Sequence, residues 1–228
     1  MKRSVTRSTH RRENLLDAAG RLFARWGFDK TSVDDIAREA GISKGAVYLE
    51  FPNKEALFKA VLYHESVRHA ADLLRRFESD PGDWSFAWMF RHSLEGVQAN
   101  PFMRALLTRD QRMFGSYLRK DPELFVLKAA MGAEFFRKLQ AEGAMRPDIP
   151  PDVLAHLLNV IVFGIVASGD VMPESGRVPF EDLVRALGLL LDRGLAPTRT
   201  GGRRAAKPHL LAMVEKMREA LSAEEGRS

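Results

Sequence analysis

From Arg11 to Arg193 the apolar residues recur at the three-to-four spacing of helices, and no stretch alternates convincingly enough to make a strand. What narrows the fold most is how this pattern is cut near the N-terminus. Gly27, Gly41 and the pair Phe51-Pro52 divide that region into four helices, the middle two very short. The first spans about Arg11 to Trp26, with Leu15, Ala19, Leu22 and Trp26 on one stripe and Leu16 and Phe23 beside it. Thr31 is read as the cap of the second, Val33 to Ala40, with Asp34 as its capping acid. Ser43 caps the third, Lys44 to Glu50, and Asn53 caps a fourth that runs toward Phe77. Helices this short are not stable alone, so the four form one compact module.

Beyond "SDPGD" at 79–83, longer helical patterns follow: Trp84 to Ala99, Pro101 to about Phe114, Pro122 to Glu142, Pro151 to about Ser168, and Phe180 to Arg193. Pro101, Pro122 and Pro151 each stand where a first helical turn tolerates proline, and Gly143 and Gly194 stand where helices end. The chain is therefore expected to be all-α. After it, APTRTGGRRAAKP at 196–208 reads as a basic linker, followed by a helix or tail with Leu210, Val214, Met217 and Leu221 at helical spacing.

Composition excludes several classes. Among 228 residues there is no cysteine, hence no disulfide framework, thiolate metal site or thiol nucleophile. The start, MKRSVTRSTHRR, lacks the apolar segment of a signal peptide, so a cytoplasmic location is the default. The longest oily run, Leu157 to Ala167, falls short of the roughly 20 residues of a membrane helix and is expected to be a buried soluble one. His64 and His69 are spaced too poorly to chelate, and no hydrolase, P-loop, metalloprotease or dinucleotide motif occurs, so no enzyme, metal or cofactor is expected.

Charge is uneven. Residues 1–60 hold 12 Lys/Arg against 8 Asp/Glu, 61–195 hold 16 against 18, and 196–228 hold 7 against 4. A basic N-terminal block suits a polyanion. Within it, "TSVDDIAREAGISKGAVYLEF" has the pattern of a helix-turn-helix: a capped short helix, a glycine turn and a second short helix that would enter a DNA major groove. Lys44 and Lys54 lie just behind helix caps, where the helix dipole disfavours a cation unless an anion is bound there; DNA phosphates supply that anion. Gly45 weakens its helix by about 1 kcal/mol but allows close approach of the backbone to DNA. Tyr48, one turn on, offers a ring and a hydroxyl.

Residues 11–62, and above all "DDIAREAGISKGAVYLEFPNKEALFKAVL", strongly resemble the DNA-binding region of TetR-family transcriptional regulators. The resemblance implies an N-terminal three-helix helix-turn-helix DNA-binding domain followed by a C-terminal helical bundle for ligand binding and dimerisation. The division it suggests is a basic arm at 1–10, the DNA-binding domain at 11–58, the bundle at 59–195, and the linker and helix or tail at 196–228. It implies phosphate contacts from Thr31, Tyr48 and Lys54, a groove-facing set of Ser43, Lys44, Gly45 and Ala46, and a variable, sequence-choosing position at Leu49. Glu50 departs from the family, which usually has histidine or tyrosine there; a carboxylate is expected to turn away from phosphate. Lys2, Arg3, Arg7, Arg11 and Arg12 all precede the first acid, Glu13, and both a groove-entering arm and a disordered one fit that run.

In the bundle, Leu157, Ile161, Gly164, Ile165 and Ser168, with Leu183, Leu187, Leu190 and Leu191, are expected to pair with their copies in a four-helix dimer interface. Trp88, Met103, Leu107, Phe114, Phe135 and Phe163 are candidates for an apolar ligand pocket, although aromatics and methionines at helical spacing also make plain core. The expected function is a ligand-responsive homodimeric repressor that binds double-stranded DNA at a palindromic operator and takes a largely apolar small-molecule effector. Two other readings stay open: a DNA-binding activator or architectural factor, and a small-molecule-binding dimer that has lost DNA specificity.

Overall fold

The computed structural model describes the backbone at residues 2–79, 86–117, 123–171 and 173–195 and at four isolated tail positions, 212, 215, 216 and 219. The linker and the C-terminal amphipathic pattern expected at 196–221 lie outside this set apart from those four. The helices are α1 (Lys2–Trp26), α2 (Val33–Glu39), α3 (Lys44–Glu50), α4 (Lys54–Ser79), α5 (Phe86–Ala99), α6 (Pro101–Thr108), α7 (Gln111–Phe114), α8 (Glu123–Ala141), α9 (Pro151–Val171) and α10 (Phe180–Gly194), with one 3-10 turn at Glu174–Gly176. Among the described residues there is no strand.

Helix α1 begins nine residues before the expected Arg11, so the backbone of the basic arm from Lys2 onward is helical. The helix expected to run from Pro101 to Phe114 is instead two pieces. Arg109 adopts φ of 50°, a left-handed conformation that no helix interior accommodates, and Asp110 then caps α7 by accepting from the Arg112 N–H at 2.8 Å.

Contacts divide the chain into two compact units. One joins Met1–Arg68 to Pro101–Asp121, and the other joins His69–Asn100 to Pro122–Lys216. This differs from the boundary drawn at residue 58, because α6 and α7 fold with the N-terminal helices.

In the first unit α1 is the spine: Leu15, Leu16, Ala18, Ala19, Leu22 and Phe23 are all buried. Removing such an apolar stripe from water is the main favourable contribution, at about 1.5–3 kcal/mol for each fully buried large side chain. Polar clamps fix what packs on it. Asn14 donates to the Ala40 carbonyl at 3.2 Å, and Arg21 pairs with Glu39 at 3.1 Å, which ties α2 to α1 at two points. Asp17 pairs with Arg68 at 2.8 Å and meets His64 at 3.2 Å, which ties α4 to α1.

At the centre lies the Phe58 ring on α4, fully buried, with the rings of Tyr117, Phe23, Phe28 and Phe114 at centroid distances of 4.6, 4.7, 5.0 and 5.5 Å. Two glycines bring α7 and the turn after α1 close enough for this. A side chain at Gly27, φ 82°, would put its Cβ 2.0 Å from the Arg112 carbonyl oxygen; without one, the Phe28 N–H donates to the Met113 carbonyl at 2.7 Å. A Cβ at Gly115, φ 49°, would fall 2.1 Å from the Asp29 carboxylate, which instead accepts from the Ser116 N–H at 3.0 Å and hydroxyl at 2.5 Å.

In the second unit α8 packs on α9 and α5 on α10. Gly132 lies at the first of these contacts, where an added Cβ would meet the Ala155 methyl at an ordinary packing distance of 3.6 Å. Helix α9 turns Leu154, Ala155, Leu158 and Val166 inward. Its other side does not match the expectation of a buried helix: Val153, Leu157, Val160 and Phe163 are about half exposed, at 47–54%. The apolar stretch is also longer than the run counted above, because Pro151–Ser168 is long and apolar enough by length and composition to cross a membrane. Such a stretch is equally what a helix needs when apolar partners cover it on two sides.

Gly27→Ala is expected to lower the stability of the folded chain by about 2 kcal/mol or more, from the left-handed backbone and the displaced Arg112 carbonyl together. Thermal unfolding followed by circular dichroism measures this, with Gly143→Ala as the comparison; Gly143 also has positive φ, at 68°, but nothing within 4 Å of its Cβ position.

Candidate nucleic-acid interface

Two short helices form the site because each has its own start signal. Ser32, extended at φ −101° and ψ 158°, accepts from the Asp35 N–H at 3.1 Å, and Asp35 accepts in return from the Ser32 N–H at 3.2 Å. The Ser32 hydroxyl first, and then its backbone N–H, hold the Asp35 carboxyl below its ordinary 3.8. The cap of α2 is therefore Ser32, not Thr31, and the capping acid is Asp35, not Asp34. At α3 the cap is Ser43, whose hydroxyl accepts from the Ala46 N–H at 3.1 Å, and Asn53 caps α4 by accepting from the Ala56 N–H at 2.8 Å.

The short α3 has two unlike sides. Val47 is buried against the unit's core, and Glu50, one turn further, lies on the same side. Lys44 with Tyr48, and Gly45 with Leu49, are i, i+4 pairs on the outer side. There Tyr48 is 46% and Leu49 85% exposed. Near Gly45 an added Cβ would meet nothing closer than the Ser43 hydroxyl at 3.9 Å, so the backbone is bare on that side; Ala46 is half-buried behind it. An exposed tyrosine and leucine on a two-turn helix seated on a core are well placed to enter a groove and poorly placed for anything internal.

The cations are held differently from the sequence expectation. Lys44 donates to Asp34 at 2.7 Å, and that bond, followed by the charge of Asp34, raises its pKa. Lys44 therefore stays charged and reaches solvent, with a partner it can exchange for phosphate. Lys54 is engaged inward: Nζ donates to the carbonyls of Phe28 at 2.8 Å and Thr31 at 3.1 Å and lies 4.3 Å from the Phe28 ring centre. Thr31 is 1% exposed and its hydroxyl donates to the Gly27 carbonyl at 2.7 Å. Of the three residues named as phosphate contacts, Thr31 and Lys54 thus hold internal carbonyls in this structure, while Tyr48 stands exposed. Thr31 closes the turn after α1, and Lys54 ties that turn to the start of α4. The burial of Thr31 and the inward engagement of Lys54 follow from long-range packing of the Phe28 turn, which local pattern does not show.

Glu50 turns away from the outer side, as expected. Its carboxylate meets Arg11 at 3.6 Å and Arg12 at 3.5 Å, and the Arg12 guanidinium also covers the Phe51 ring at 4.5 Å. Sequence reasoning named all three residues without connecting them; their 38-residue separation for Arg12 and Glu50 has no local signature. It also missed the partner of Lys44, although Asp34 stands in the same quoted motif.

Of the ligand candidates, Met103 and Phe114 are buried in the first unit, where Phe114 belongs to the Phe58 cluster, and Leu107 is half-buried. In the second unit Phe135 is buried beside Phe136, the half-buried Trp88 lies 4.0 Å from the His92 ring, and Phe163 stands on the exposed stripe of α9. Of the interface candidates, Leu157, Gly164 and Leu190 are exposed, and Ile161, Ile165, Ser168, Leu183 and Leu187 are half-buried. Leu191 is corrected to core: it is buried with Val184 and Gly188 on the inner face of α10, while Leu189, not named before, is 58% exposed. Among the described residues no group of three His, Asp or Glu side chains could hold a metal ion.

Fold and site together define a helix-turn-helix DNA-binding regulator. Residues 15–61 match the family model described as bacterial regulatory proteins, tetR family. The chain is 28% identical over 159 residues to the HTH-type transcriptional repressor Rv1474c of Mycobacterium tuberculosis, covering 69% of this chain and 81% of that one. In fold it is similar to a putative TetR-family regulator from Rhodococcus sp., with a TM-score of 0.61 at 21% identity over 81% of this chain and 98% of that one. It is also similar in fold to FadR from Bacillus subtilis, solved in complex with stearoyl-CoA, with a TM-score of 0.58 at 15% identity over 78% and 96%. Residues 15–61 are thus a DNA-binding region of the kind found in bacterial regulatory proteins of the tetR family, and the helical fold of the rest is similar to that of solved regulators.

Lys54→Ala is expected to lower stability by about 1–3 kcal/mol without any DNA present, because two carbonyls lose a charged donor. Thermal unfolding of the free protein checks this. A lysine serving phosphate alone would leave the midpoint unchanged.

Proposed function

We propose that this regulator is a homodimeric repressor that places α3 of each copy in successive major grooves of a palindromic operator and releases it when a largely apolar effector binds. The observation that carries the reading is the outer side of α3: bare backbone at Gly45, an exposed Tyr48 and Leu49, and a fully charged Lys44 that shares Asp34. Ser43, Lys44, Gly45, Ala46, Tyr48 and Leu49 are the proposed contacts. Tyr48 and Lys44 serve phosphates, and Leu49 faces a base edge. Thr31 and Lys54 support them from beneath.

Repression is supported by the name of the curated relative from Mycobacterium tuberculosis. Dimerisation is supported by α9 and α10, whose outer sides expose Val153, Leu157, Val160 and Phe163 and Leu189 and Leu190. A copy of the same surface covers such a face with two-fold symmetry, which a palindromic operator also has. Effector response is supported by the FadR neighbour's complex and by the clamp of Gly115 and Ser116 on Asp29. A ligand that favours a different setting of α6 and α7 would act on the DNA-binding head through that clamp and through Phe58. The proposed location is the cytoplasm, where operator DNA is, and the regulator performs no catalysis of its own.

Selection from a random duplex library tests this. The expected result is a palindrome with half-site centres about 34 Å apart, bound at least several-fold more weakly by Tyr48→Phe. Phe163→Glu is expected to shift the protein toward monomer in sedimentation and to weaken binding of the full palindrome far more than binding of a half-site. No enriched sequence would leave the small-molecule-binding reading.

A further inference from the structure

Glu50 ends α3, where the helix dipole is negative and a carboxylate is disfavoured. It is only about one-fifth exposed, at 22% of its side chain, and two guanidiniums from α1 converge on it. Arg12 is held from both sides, by Glu50 and by the Phe51 ring at 4.5 Å, while Arg11 is 46% exposed and within reach of solvent. At the opposite, N-terminal end of α3, on its outer side, Lys44 is matched by Asp34. The cluster of Arg11, Arg12 and Glu50 thus carries one net positive charge in place of two, beside the helix that meets DNA.

We propose that Glu50 is a specificity-setting residue: by holding Arg11 and Arg12 on α1 it withholds guanidinium charge from DNA phosphates and so restrains sequence-independent binding. The proposal rests on the DNA-binding reading above. Attraction to phosphate acts on every duplex alike and contributes most where no base contacts exist. A guanidinium freed from Glu50 can reach phosphates in many registers on random DNA. On the operator, docking of α3 fixes α1 in one register, so the same guanidinium gains less. Glu50 therefore widens the gap between operator and bulk DNA at the expense of total affinity, and it needs no contact with a base to do so.

The experiment is salt-titrated binding of wild type and Glu50→Gln to a random-sequence duplex and to the best duplex recovered by selection, repeated in an Arg11→Gln/Arg12→Gln background. Glu50→Gln is expected to bind the random duplex several-fold tighter, with a log–log salt slope steeper by roughly 0.9 for each phosphate gained, and to show a smaller ratio of selected to random affinity. In the doubly substituted background the same change is expected to have a much smaller effect. An equal effect in both backgrounds would mean that only bulk charge is felt and would overturn the proposal. So would weaker binding to both duplexes with a lowered thermal midpoint, which would make the cluster a structural clamp alone. Wild-type protein that binds no duplex even at low salt would remove the DNA-binding reading itself and this proposal with it. Wild-type binding that Glu50→Gln leaves unchanged would remove this proposal only.

Discussion

The DNA-binding head depends on one buried ring. Phe58 is the first large apolar residue of α4 to be wholly enclosed after Leu57, and it meets Phe23 from α1, Phe28 from the following turn, and Phe114 and Tyr117 from the segment around α7. Edge-on aromatic contacts at such distances add about 0.5–1.5 kcal/mol per pair to the area they bury. Packed interiors respond to displacement as a whole and not atom by atom. Since Phe58, Phe28 and Lys54 share this neighbourhood, the start of α4 and the end of α1 hold a single relative position. The seat of α2 and α3 depends on it.

Around that core, charge is arranged to be spent selectively. Most basic residues near the reading helix have an acidic partner: Lys44 has Asp34, Arg21 has Glu39, and Arg11 and Arg12 share Glu50. Exposed pairs of this kind contribute little to stability, typically about 0–1 kcal/mol. Their greater effect is on what the surface offers to DNA. Lys44 and Asp34 are each about half exposed, so a phosphate can compete for the lysine, whereas the half-enclosed Arg12 is much less free to leave Glu50 and Phe51.

The helices themselves were legible in the sequence because their signals are local. Ser43, Asn53, Gly27 and Gly41 mark ends by chemistry confined to a few residues, and α3 and the start of α4 fall where these residues put them. The cap of α2 was misplaced by one residue because Thr31 and Ser32 are both good caps. What decides between them is the pull of Thr31 into the turn, where its hydroxyl reaches the Gly27 carbonyl. Lys54 misled for the same reason. From the sequence it is a cation behind a cap, and only the fold of the Phe28 turn supplies two carbonyls for it. The break at Arg109 and the assignment of α6 and α7 to the head depend on Gly115, Asp29 and Gly27 meeting across some 85 positions, which no periodicity records. Leu191 and Leu190 are adjacent and equally apolar, and only the packing of α5 on α10 tells inner from outer.

The central claim is that the outer side of α3 reads bases, and Leu49, at 85% exposure, is the residue that tests it with least disturbance to the fold. Site selection would be run in parallel on wild type and Leu49→Gln, after confirming equal thermal midpoints. The account predicts a changed base preference at the same position in each half-site, with the spacing of the half-sites preserved. An unchanged sequence preference would contradict it and would place the reading of DNA elsewhere in the molecule.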